Sequence, residues 1–323
     1  MRVEAVELTR GWLGRGPPSS AERIPVLIEV TATAVHRLSP SFVRVELGAA
    51  GLADFGVEGP TYDQRIKLIF PNEAGELPQG LGEATWWQDY LALPEDERGS
   101  IRTYTIREVL GTGADTRLVV DIVVHPAPHG PGSSWALAAE VGSRLLVVCP
   151  RKGEYMGGIE FAPDSLERLL LVGDESALPA IAAIVEQLPV HARGTAFVEV
   201  PRADDVQQIS GPDGVEIVWL PRDEAPVGQR MHEATVAHLG AVAALPSVAD
   251  DEVEVGLWET PEYSSSGEEI ADLPHEHSAL YAWIAGESKA VTGLRRVLVK
   301  DIGLDRSQVA FMGYWREGVA MRA

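Results

Sequence analysis

Apolar and polar positions along the chain fall into two textures. Up to about Cys149, short β-branched runs with partial alternation recur: "IPVLIEVTATAV", "FVRVEL", "RIKLIF", "IRTYTIREV", "TRLVVDIVV" and "RLLVVCP". A period of two sends successive side chains to opposite faces of a strand, and β-branched residues suit a pleated surface. Turn-forming stretches separate the runs ("GAAGLADFGVEGP", "PNEAGELPQGLG", "GTGAD", "HPAPHGPGS"). Six strands at this spacing predict a small antiparallel barrel. One helix is expected in this half, over "SSWALAAEV", with Ser133 or Ser134 as N-cap.

After Gly158 the texture changes. "RLLLV" is a continuous apolar strand that breaks at "GDESALP" into a helix over "ALPAIAAIVEQL". "GTAFVEV" and "GVEIVWL" read as strands, and "QRMHEATVAHLGAVAAL" as an amphipathic helix. "EVEVGLWE" and "ALYAWIAG" follow as strands, then a helix over "ESKAVTGLRRVLVKDI" and a last strand over "QVAFMGYW". Strands alternating with helices predict a parallel, doubly wound α/β sheet. The expected organisation is a flexible tail over 1–22, an antiparallel barrel domain over 23–160 and an α/β domain over 161–323. Residues 261–278 read as a polar surface loop.

Composition narrows the function. The 323 residues suit two domains, and a net charge of −21 disfavours nucleic acid and anionic lipid as partners. An anionic ligand must therefore be held by a local basic cluster. The single cysteine, Cys149, lies in an apolar strand and reads as core, which leaves no intramolecular disulfide and no multi-cysteine metal site. His275 and His277 share a polar stretch without further ligands at metal spacing. Neither a leader pattern nor an apolar run of about 18 residues is visible, so a cytoplasmic location is expected.

The densest chemistry lies in "RTYTIR". Arg102, Tyr104 and Ile106 share one face of the strand, and Thr103, Thr105 and Arg107 the other. Arg supplies a bidentate fork for phosphate and Tyr a flat surface with a polar tip; a solvated barrel face reads equally well from this strand alone. Downstream, a strand ends at His125 and a Gly/Pro loop opens a helix, whose first N–H groups form an anion site.

"RTYTIR", "H…GPGSSWA…G" and "CPRKG" together resemble the flavin-binding half of the ferredoxin–NADP reductase superfamily. The pattern is most similar to its siderophore-interacting branch, the FAD-dependent ferric-siderophore reductases. "DQRIKLIFP", "GDESALPAI", "YAWIAGE" and "FMGYWREG" extend the resemblance from about residue 24 onward. It implies that Arg102 meets the FAD pyrophosphate, Tyr104 the isoalloxazine ring and Thr105 the flavin N5 edge. It also implies phosphate binding at Gly130, Gly132 and Ser133, with Thr103, His125, Ser134, Trp135 and Trp315 as further FAD contacts. For Trp315, interdomain packing stays equally open.

In the second half, Gly173, Asp174, Glu175, Ser176 and Ala177 form the turn that the family uses at its nicotinamide site, and Gly286 accompanies them. The turn departs from G-x-G-x-x-G, and its two acids would repel a pyrophosphate or simply complement the helix dipole. Arg202 and Arg222 follow strand ends. Either one reaching a 2′-phosphate would favour NADPH, whereas Glu199 at a ribose would favour NADH. Lys67, Arg151 and Lys300 are candidates for a basic rim that holds an anionic ferric chelate. Each also reads as an ordinary surface charge.

The expected activity is electron transfer from NADPH or NADH, or from a ferredoxin, through FAD to siderophore-bound iron(III). The alternatives are a general flavin or ferredoxin-type reductase and a non-catalytic siderophore-binding protein. A monomer is expected.

Overall fold

The computed structural model describes residues 24–154, 156–241, 246, 248–249, 258–260, 263–264 and 280–319. The expected tail over 1–22, His275, His277 and most of the loop over 261–278 lie outside the described residues. The chain divides into two compact units, with Ile159 the last residue of one and Glu160 the first of the next.

The first unit is one antiparallel sheet. Its strands are β1 (Val26–Ser39), β2 (Phe42–Gly48), β3 (Arg65–Phe70), β4 (Ser100–Thr105), β5 (Glu108–Leu110), β6 (Arg117–Val123) and β7 (Arg144–Cys149). Their order across the sheet is β4-β3-β7-β1-β2-β6-β5. Seven strands stand where the sequence predicts six, because the run "IRTYTIREV" breaks. The Ile106 N–H donates to the Gln64 carbonyl at 2.9 Å, on the β3 side. The next amide, Arg107 N–H, donates to Val119 of β6 at 2.8 Å. The chain thus passes from one edge of the sheet to the other within two residues.

Val30, Val45, Leu68, Ile106, Leu118 and Val147 are fully buried in a single apolar cluster. Each such side chain contributes roughly 1.5–3 kcal/mol on leaving water. Arg107, the second arginine of the "RTYTIR" run, is buried with its Nε 3.9 Å from Asp121 Oδ2. Arg44 holds the same carboxylate at 2.7 and 2.8 Å.

Among the described residues two α-helices belong to this unit, where the sequence predicts one. The additional helix, α1 (Trp86–Ala92), follows Thr85 and Gly82, which both donate to the Asp89 carboxylate, at 2.6 and 2.9 Å. Helix α2 (Pro131–Ala138) begins with Gly130 as N-cap and Pro at its first turn, two residues ahead of the expected start. Ser133 is therefore not the cap. Its hydroxyl donates to the Val123 carbonyl at 3.0 Å and ties the helix to the end of β6.

The second unit carries β8 (Leu169–Gly173), β9 (Gly194–Val200), β10 (Val215–Pro221), β11 (Trp258–Thr260), β12 (Tyr263–Ser264), β13 (Tyr281–Glu287) and β14 (Val309–Trp315). The order β10-β9-β8-β13-β14 is parallel throughout, and β11 and β12 extend it antiparallel at one edge. The α-helices among the described residues are α3 (Leu178–Gln187), α4 (Gln229–His238) and α5 (Ser288–Arg296), the last running on into a π-turn over Val297–Asp301. β8 is buried at every position, as a strand covered on both faces must be. None of the described helices is long and apolar enough to cross a membrane.

Candidate functional site

Strand β4 lies at the edge of the first sheet. Antiparallel pairing alternates, so residues whose N–H and C=O face β3 are followed by residues that face away. Ile106 donates to Gln64, and Tyr104 and Arg102 share its orientation; the main-chain groups of Thr103 and Thr105 therefore point to the free edge.

Above this edge, the Arg102 guanidinium donates from Nη1 to the Ile101 carbonyl at 2.6 Å. Tyr104 is half-buried and packs edge-on against Phe70, with centroids 6.1 Å apart at 79°. Burial pushes its phenol above the ordinary range, with Arg102 pulling the other way, so the hydroxyl stays a donor at neutral pH. A Cβ at Gly132 would collide with that hydroxyl, which places the first turn of α2 beside Tyr104. The early N–H groups of the helix lack intrahelical partners and sit next to the phenol.

Edge amides, a guanidinium, an aromatic ring and a helix start can serve a flat ring that carries a pyrophosphate; the residues fit FAD. Trp135 closes the apolar side against Phe70 at 5.6 Å. His125 is half-buried, and its amide N–H donates to Ser133 Oγ at 3.3 Å. Ser133 is thus committed to main chain, whereas Ser134 is exposed.

Lys67 sits on the opposite face of the β3–β4 pair from Arg102 and Tyr104. It lies across from Thr103, whose hydroxyl its Nζ reaches at 2.7 Å. Burial, with Arg65 nearby, lowers its ammonium to about 8. Arg151 follows β7, and its guanidinium is widely engaged. It donates to the Ile24 and Pro25 carbonyls at 3.2 and 3.1 Å, and pairs with Glu83 at 2.6 Å and Asp54 at 3.4 Å. Lys300 is exposed on the π-turn of the second unit.

In the second unit, the candidate nucleotide residues gather at the carboxyl ends of the parallel strands, where open α/β sheets bind ligands. Here the acids face inward. Asp174 is fully buried. Its Oδ1 accepts from the Ser176 amide at 2.8 Å and hydroxyl at 2.5 Å; its Oδ2 accepts from the Glu287 amide at 2.7 Å and Trp315 Nε1 at 2.8 Å. One carboxylate thus joins the ends of β8, β13 and β14. Gly286, at φ 151°, lets it approach, for a Cβ there would lie 2.7 Å from Oδ2. The Ala177 and Leu178 amides donate to the Asp174 carbonyl at 3.0 Å, so the start of α3 is closed by its own turn.

Glu175 is buried and paired bidentately with Arg222 at 2.6 and 2.7 Å. Burial raises its carboxyl to about 7, and the Arg222 bonds oppose that rise. Glu199, also buried, accepts from the Gly228 and Met231 amides at 2.7 and 3.0 Å and so caps α4. Burial raises its carboxyl as well, against those two bonds. Glu199 thus serves a helix start, and Arg222 is paired with Glu175. Arg202 alone of the two arginines is exposed; its amide donates to Asp205 at 3.2 Å.

Sequence reasoning missed Glu287, which caps α5 by accepting from the Lys289 and Ala290 amides at 2.6 and 2.9 Å. An acid directly before "SKAV" was the available signal.

The siderophore-interacting FAD-binding domain pattern matches residues 31–154, and the siderophore-interacting protein pattern matches residues 166–318. An uncharacterized protein of Mycobacterium tuberculosis is 34% identical over 90% of this chain and 89% of its own length. The NADPH-dependent ferric-chelate reductase of Escherichia coli is 27% identical over 89% of this chain and 92% of its own. The crystal structure of a siderophore utilization protein from T. fusca superposes with a TM-score of 0.64 at 29% identity, over 94% of this chain and 97% of that one.

Proposed function

The chain belongs to the siderophore-interacting protein family, and we propose that it is an FAD-dependent ferric-siderophore reductase. NADPH is the proposed electron source, and the iron(III) siderophore is the substrate from which iron(II) is released. Bound FAD supplies the conversion between a two-electron hydride donor and a one-electron metal acceptor.

The chain's own task is binding and positioning. The Thr103 and Thr105 main-chain groups at the β4 edge orient the ring, Tyr104 backs it, and Arg102 with the start of α2 neutralises the pyrophosphate. Lys67, charged below about pH 8, attracts an anionic chelate. Arg151 supports the same rim through its carboxylate and carbonyl partners rather than as an open cation. Arg202 and Arg222 are the basic groups proposed for the nucleotide, in a domain that begins near residue 161. A monomer in the cytoplasm completes the proposal.

The observation that carries it is the joint placement at β4: an edge strand with outward amides, and Tyr104 set against Gly132, where a Cβ would collide with its hydroxyl. Side-by-side assays of ferric siderophore, free flavin and ferredoxin test the assignment. Ferric siderophore should be reduced fastest; equal or faster reduction of free flavin would replace it with a general flavin reductase. One observation favours ferredoxin in place of NADPH as donor, namely the inward closure of the turn at Asp174 and Ala177. Bleaching of the bound flavin by reduced ferredoxin but not by NADPH would decide for it.

A further inference from the structure

The ends of β8, β9 and β10 lie side by side, and one ion pair bridges them. Glu175 stands two residues beyond β8 and Arg222 one beyond β10, and they meet across the end of β9, where Glu199 lies 3.7 Å from the same guanidinium. The cluster therefore sits at the carboxyl edge of the sheet, where open α/β sheets bind dinucleotides.

The charges in the cluster are unequal. Asp174, Glu175 and Glu199 all face Arg222. Asp174 is satisfied by Ser176, Glu287 and Trp315, and Glu199 by the start of α4. Both acids hold main chain together. Glu175, by contrast, directs both carboxylate oxygens to a guanidinium fork, whose planar donor geometry matches phosphate as well as carboxylate.

Resting on the nicotinamide assignment above, we propose that Arg222 is the anion-binding group for the 2′-phosphate of an adenosine nucleotide, and that Glu175 is its built-in competitor, displaced when the phosphate arrives. The exchange leaves Glu175 beside Asp174 and Glu199 without its counter-ion. A carboxyl already raised by burial then takes up a proton. Nucleotide binding therefore consumes a proton and tightens as pH falls through neutrality. A nucleotide without the 2′-phosphate gains nothing from the exchange.

Calorimetric titration of the FAD-loaded protein with 2′,5′-ADP and with NAD⁺, in buffers of different ionisation enthalpy and on both sides of neutrality, tests this. Glu175→Gln should bind 2′,5′-ADP about tenfold more tightly than the wild type, the scale of one charge-assisted contact, and without proton uptake. Its affinity for NAD⁺ should not change. The double variant Glu175→Gln/Arg222→Gln, in which Glu199 keeps the Gly228 and Met231 amides and Asp174 keeps Ser176, Glu287 and Trp315, should lose the gain. Its thermal unfolding checks that it is folded. Equal affinity and equal proton uptake in wild type and Glu175→Gln would overturn the proposal while leaving nucleotide binding intact. Absence of binding by either form, with FAD retained, would instead remove the nicotinamide assignment and the proposal with it.

Discussion

The two units handle polar groups at their ligand edges in opposite ways. At β4 of the first unit, Thr103 and Thr105 turn main-chain groups outward, and Arg102 donates to the neighbouring Ile101 carbonyl. At the carboxyl edge of the second unit, Asp174, Glu175, Glu199 and Glu287 are each saturated from within. The first edge leaves main-chain groups turned outward, whereas at the second each of these carboxylates already holds a partner within its own unit.

The largest effect expected from breaking this contrast is at Asp174. Asp174→Ala strips the acceptor from the Glu287 and Ser176 amides and from Trp315 Nε1. It should destabilise the second unit by about 3–5 kcal/mol in denaturant unfolding. A loss within experimental error would show that the carboxylate is not the staple it appears from its bonds. Next, Arg102→Ala should weaken FAD by about 1.5–3 kcal/mol, roughly 10- to 150-fold in Kd, with little change in stability. A variant that keeps its full flavin content would remove Arg102 from the cradle.

Gly132→Ala, which drives a methyl into the Tyr104 hydroxyl, should cost about 1–3 kcal/mol of stability and also weaken flavin binding. If stability falls and flavin affinity stays, Tyr104 does not touch the ring. The smallest effect concerns Lys67. Its folded pKa of about 8 lies below the usual lysine value, so the ammonium is charged at neutral pH and neutral above that point. KM for an anionic ferric chelate should rise as pH increases from 7 to 9, by at most about fivefold, the scale of a partly solvated ion pair. Lys67→Arg should flatten the profile, and an unchanged slope in that variant would clear Lys67 of the substrate rim.

Much of both units was legible in the sequence because their strands carry local signals. β8 is a continuous apolar run, and α3 opens on Pro179 just after a turn. The break in "IRTYTIREV" was not legible: no Gly or Pro marks it, and it is set by Gln64, just before β3, and Val119 of β6. The helix α1, only seven residues long, was hidden because its start is fixed by the Asp89 carboxylate rather than by a marked N-cap. Gly132 and Tyr104 both stood out in the sequence, but their contact depends on tertiary packing.

The acids at "GDES" read as repelling a pyrophosphate or complementing the helix dipole, and their partners were not legible because they lie far along the chain, Trp315 at 141 residues from Asp174 and Arg222 at 47 from Glu175. Composition reports a charge, and only the fold reports whether it is already neutralised.

The open edge at β4 is the central claim, and the visible spectrum of the purified wild-type protein during FAD titration tests it most directly. A saturable perturbation of the flavin absorption at one FAD per chain is the result predicted. A flavin spectrum that stays that of the free cofactor throughout the titration would contradict it.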